Sequence, residues 1–198
     1  MITIWTKPKA TLEFIFANRL KTHTKLLFVL GGIANSVAKA QVNIAEHRTL
    51  SIAVLIFAVI VGGLFGLLFY YIYAALLSWT GNWLDGKART NQFATVLAWS
   101  LIPSICILIL LVPKFVIFGD KTFSIDTNEL NRLSLILYYF FVAIEVLLSI
   151  WTIIILITGI SLIQGFNVGK ALLNSILPIF VITIPIFLFI GIMYLLKK

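Results

Sequence analysis

The chain has 198 residues, of which 61% are hydrophobic and 11% charged, whereas soluble domains carry about 45–50% apolar and about 25% charged residues. So few polar side chains cannot cover a soluble domain of this size; lipid is the solvent for most of the molecule, and a soluble enzyme of the ordinary kind is excluded. The formal net charge of +8 would suggest nucleic acid in a soluble protein, but here the basic residues flank apolar blocks, where they set topology and meet lipid headgroups, so no nucleic-acid partner is expected.

Residues 1–24 read as a basic, cytosolic, amphipathic segment. Pro8 stands where a helix would start, and Leu12, Ile15, Phe16 and Leu20 recur at helical spacing. The spacing predicts a helix lying on the membrane surface, anchored by Trp5, with docking on the protein's own loops as the alternative. From residue 25 a transmembrane bundle is expected, with spans at about 26–38, 50–79, 93–118, 133–163 and 171–196. The first block holds Asn35 and Ser36 and is shorter than the ~20 residues that cross hydrocarbon, so it reads as a short tilted span or a re-entrant helix. The other four each suffice to span. The fold class is therefore all-α: an integral membrane bundle of about five helices plus the N-terminal surface helix. Gly62 and Gly66 form a G-x-x-x-G face suited to close packing, within the chain before dimerisation. Tyr70, Tyr71, Tyr73, Trp79 and Trp83 read as an interfacial belt, and Asp126 through Glu129 as a helix-capping box.

The short connections leave no room for an extramembrane domain. The basic residues, Lys114 counted among those outside, slightly favour a cytosolic N-terminus and an outside C-terminus, in a plasma membrane of bacterial inner-membrane type. No zinc helix, aspartate pair, serine–histidine set or phosphate-binding glycine loop stands out, so no catalytic residue, metal or cofactor is expected. Cys106 lies inside an apolar block and reads as a small hydrophobe.

Glu145 is the one ionisable residue deep in a strong span, where a charge costs roughly 2.5–3.5 kcal/mol or more. Ser149 and Thr152 follow it at helical spacing, and Ser100 and Ser104 bracket Pro103 on the preceding span. These five residues form the candidate polar centre. They read either as a proton-linked path or as a neutral acid tying helices together, in which case Gln should replace Glu145 far better than Lys or Ala. A second candidate is the loop of Trp83, Asp85, Gly86 and Lys87. It lies on the same membrane side as the N-terminal helix, so the two elements can share one docking surface.

Three segments carry a family resemblance: Trp5-Thr6-Lys7-Pro8-Lys9-Ala10-Thr11; Gly81 to Lys87 leading into Ala98-Trp99-Ser100-Leu101-Ile102-Pro103; and Gly159 through Gly165-Phe166-Asn167-Val168-Gly169-Lys170-Ala171-Leu172. Together they resemble the prokaryotic branch of the Yip-domain (Ypt-interacting protein) membrane family. The resemblance implies five spans and a cytosolic N-terminus. Eukaryotic members are tied to Rab-type GTPases and vesicle transport. The Asp-Leu-Tyr-Gly-Pro-like segment of those members, and their long N-terminal region, have no counterpart in this sequence, so GTPase binding is not implied. The functional expectation is a non-enzymatic scaffold, assembly or trafficking factor that engages a membrane protein or lipid at the cytosolic face. The alternative is a small permease or channel, a homo-oligomer with Glu145 at its polar centre.

Overall fold

The computed structural model describes residues 3–18, 23–47, 52–119, 122 and 130–196, with backbone only for residues 40–47, 52–55 and 196. Among the described residues the helices are, in chain order, α1 (Thr3–Thr6), α2 (Pro8–Ala17), α3 (Thr24–His47), α4 (Ile52–Asn82), α5 (Thr90–Ser100), α6 (Ile102–Phe118), α7 (Arg132–Gln164) and α8 (Val168–Leu196). The expected capping box at 126–129, and Leu20 of the N-terminal helix, lie outside the described residues.

Local chemistry accounts for the helix ends. Pro8 opens α2 at its first turn, where its missing N–H costs nothing. Asn131 caps α7 by accepting from Ser134 N at 2.8 Å, and Asn167 caps α8 by accepting from Lys170 N at 2.8 Å. Gly165 ends α7 in the left-handed region at φ 68, a conformation that favours glycine. The block 93–118 is expected as one span, but it breaks at Leu101. Pro103 sits at the second position of α6, and its ring removes the donor that would continue α5.

Among the described residues four stretches are long and apolar enough to cross a bilayer: Ile56–Asn82, Thr90–Phe118, Arg132–Gln164 and Val168–Leu195. The short block 26–38 belongs to a longer helix, the 24-residue α3, which packs along α4 more extensively than any other helix pair. The contact is glycine on glycine: a Cβ on Gly32 would strike the Gly62 carbonyl and Gly66, and one on Gly66 would strike Gly32. The G-x-x-x-G face thus seals α4 against α3 of the same chain. Phe28 of α3 stacks against Tyr70 and Tyr71 at 5.2 and 5.1 Å, at the head of a core that continues through Leu77, Phe93, Leu97, Leu101, Ile160 and Ala171. The expected aromatic belt therefore divides. The tyrosines pack between helices, with Tyr73 donating to the Ser175 carbonyl at 2.8 Å, while Trp79 and Trp83 form an exposed edge-to-face pair.

The N-terminal helix also lies elsewhere than expected. Ile4, Leu12 and Ile15 are buried against Ile155 of α7, with Trp5, Phe16, Trp99, Trp151 and Leu162 closing around them. Neither a bare membrane surface nor the loops receive this face. It docks on the spans themselves because Gly159 leaves space for Leu12 and Val96. The distal half of α8 behaves in the opposite way, with every large hydrophobic side chain from Ile184 to Leu195 exposed.

Candidate functional site

The candidate polar centre resolves into separate contacts. Glu145 Oε1 on α7 accepts from Lys114 Nζ on α6 at 2.8 Å, and the two side chains are 24% and 6% exposed. Glu145 is thus hydrogen-bonded between two helices, with Lys114 as its partner, and Lys114 is no loop charge but a buried residue of α6. A countercharge lowers the cost of placing the carboxylate in a span. Thr122 braces this end, its hydroxyl donating to the Gly119 carbonyl at 2.7 Å and the Lys114 carbonyl at 3.1 Å. About two turns along α7, Thr152 and Ser104 share a hydrogen bond of 2.8 Å, a second polar tie between the same helices. Ser149 does not join them: it is exposed and donates to the backbone carbonyl of Glu145 at 2.8 Å. Ser100 is buried elsewhere and donates to the Leu97 carbonyl at 2.7 Å. Of the five predicted residues, one pair meets side chain to side chain, Ser149 reaches only the Glu145 backbone, and the Glu145 carboxylate meets an unpredicted partner. Lys114 could have been found from its position inside an apolar block, close to the block's end.

The loop after α4 is the other candidate, and its backbone is tightly specified. Gly86 N donates to the Gly81 carbonyl at 3.0 Å and Asp85 N to the Asn82 carbonyl at 3.3 Å. That is a Schellman closure with Asp85 at the left-handed position, φ 68, where glycine is usual. Gln164, the last residue of α7, reaches across and accepts from Ala88 N at 2.9 Å. Gly81 and Gly86 make room for this reach, since a Cβ on either would meet the Gln164 amide and push it aside. Asn174 of α8, fully buried, completes the clasp by donating to the Leu77 carbonyl at 3.1 Å and the Thr80 hydroxyl at 2.9 Å. This leaves two buried polar atoms without partners beside Gly81, a donor, Gln164 Nε2, and an acceptor, Asn174 Oδ1. The signals for Gln164 and Asn174 in the sequence are weak, an amide at a span end and an amide inside a span.

On this clasped frame the side chains of Trp83, Asp85 and Lys87 all point outward, Trp83 at 55% exposure, while Gly86 is buried. The same end of the bundle carries Lys9 and Glu13 of α2, which border a cavity together with Gly165 and Phe166 at the α7–α8 turn. The loop and the N-terminal helix therefore share one end of the molecule, with α2 seated against α7.

Long apolar helices, short connections and polar ties between neighbouring spans define a polytopic α-helical membrane protein. The Yip1 domain family matches residues 3–190 of the chain, and the chain belongs to that family. None of the curated proteins and none of the solved structures matches it significantly.

Proposed function

We propose that this Yip1-domain protein is a non-enzymatic membrane scaffold, an assembly or trafficking factor that docks a membrane protein or lipid surface at the end of the bundle carrying the 81–87 loop. In this reading that end is cytosolic, the N-terminus lies inside, and the membrane is a bacterial inner membrane. The observation that carries it is the contrast within the loop. Its backbone is held by the Gly81–Gly86 closure and by Gln164, yet Trp83, Asp85 and Lys87 are left exposed. An exposed aromatic beside opposite charges, on a frame that loses little entropy on binding, has the make-up of an interaction hot spot.

The test is photo-crosslinking from positions next to Trp83 and Lys87 in native membranes, comparing wild type with Trp83→Ala/Asp85→Ala/Lys87→Ala. The bundle should keep its helix content and lose at most about 1 kcal/mol, from alanine at the left-handed Asp85 position, because none of the three side chains is buried. The proposal expects a discrete wild-type crosslinked species that weakens severalfold in the triple variant. Identical products in both samples would reduce the loop to a connector.

A further inference from the structure

At the opposite end of the bundle, α3 and α4 leave between them a groove of about 470 Å³. Its α3 side carries Asn35, Ser36 and Lys39, and its α4 side is walled by Phe65, Phe69 and Tyr70. Asn35 and Lys39 are one helical turn apart, both exposed, and no described residue pairs with either. A lysine and an amide left exposed beside an apolar groove offer a site to an anionic polar group.

Depth along the helices says what that group is. Ser36 abuts Gly62, which lies 20 positions from the Asn82 end of α4. At 1.5 Å per residue that is about 30 Å, the thickness of the hydrocarbon layer. Lys39, nearly a turn further from the 81–87 loop, therefore lies in the leaflet remote from that loop, and its long stem can carry the ammonium toward headgroup level. From Val61 to Tyr70 the groove then runs roughly 13 Å toward the bilayer centre, a length suited to an acyl chain. Among its described lining residues the one charged side chain is Lys39, which suits a phosphate.

We propose that this groove binds one anionic phospholipid, with its phosphate on Lys39 and Asn35 and an acyl chain over Phe65 and Phe69. The site is separate from the loop surface and does not depend on its role. Binding is read by native mass spectrometry of the purified full-length protein, presented with an equimolar mixture of phosphatidylglycerol and phosphatidylcholine. Wild type should retain one phosphatidylglycerol in preference to phosphatidylcholine. Lys39→Gln should lower that retention about fivefold, Lys39→Arg should preserve it, and Val61→Trp, which fills the groove, should abolish it. Soluble glycerol phosphate should not compete, since the acyl chain supplies part of the fit. Equal retention of the two lipids, or retention unchanged in both Lys39→Gln and Val61→Trp, overturns the proposal. So does a result in which these variants convert a dimer to a monomer without changing bound lipid, because a second copy of the chain is then the occupant.

Discussion

Lys114 and Glu145 face each other across the α6–α7 contact at 2.8 Å, the lysine almost wholly enclosed and the glutamate at its edge. Removing one member leaves the other as an uncompensated charge in a nonpolar setting. Lys114→Met or Glu145→Gln alone should therefore cost about 3 kcal/mol, whereas Lys114→Met combined with Glu145→Leu should recover most of the loss. With Lys114 as its partner, Gln at Glu145 is expected to cost more than the gentle outcome that the sequence alone suggests. Equilibrium unfolding in mixed micelles reads the three variants. A Glu145→Gln protein of unchanged stability that lost a measurable flux would instead assign the pair to transport.

Gly86→Ala should loosen the clasp at the opposite end, because the added methyl collides with Gln164. A destabilisation of about 1–3 kcal/mol is expected. Gln164→Ala in the same chain should relieve the collision while forfeiting the bond to Ala88 N, so the double variant should be less destabilised than the sum of the single changes. Thermal unfolding of the four proteins checks the coupling.

Asp85 occupies a backbone region that glycine prefers. Asp85→Gly should stabilise the protein by a few tenths of a kcal/mol, up to about 1, and a β-branched residue there should destabilise it by a comparable or larger amount. If Asp85→Gly also weakens crosslinking at the loop, the carboxylate itself contributes to docking. Unchanged crosslinking would show that only the turn geometry matters.

Single cysteines at Lys7, Lys87 and Lys170 should label from one side of the membrane and a cysteine at Arg132 from the other. Thiol labelling in intact and permeabilised vesicles settles the sidedness. Arg132 labelling together with Lys87 would refute the placement of α7 across the bilayer.

Much of the architecture is legible in the residues, because the apolar blocks at 50–79, 133–163 and 171–196 have the length and uniformity that lipid requires. The break within 93–118 was marked by Pro103 but not readable as two helices, since a proline in a span can equally kink a continuous one. The extent of α3 was obscured by Asn35, Ser36 and Lys39, which lower its hydropathy while leaving its helical geometry untouched. Partnerships were the least visible. Nothing in the spacing between Lys114 and Glu145, or between Gln164 and Ala88, tells which helices become neighbours. Trp83, Asp85 and Lys87 were readable as an exposed loop because they fall between spans, but the clasp that stiffens it comes from two other helices.

The distal half of α8, bare on every side, bears on how the protein sits in membranes of different composition. The whole helix, at 29 residues, is about 43 Å long, well beyond a hydrocarbon layer of about 30 Å. Its near half is anchored to α4 through Asn174 and Tyr73, and no neighbour within the described chain restrains the remainder. Tilting of this segment can absorb a mismatch of several ångströms along α8 without moving the half anchored to α4.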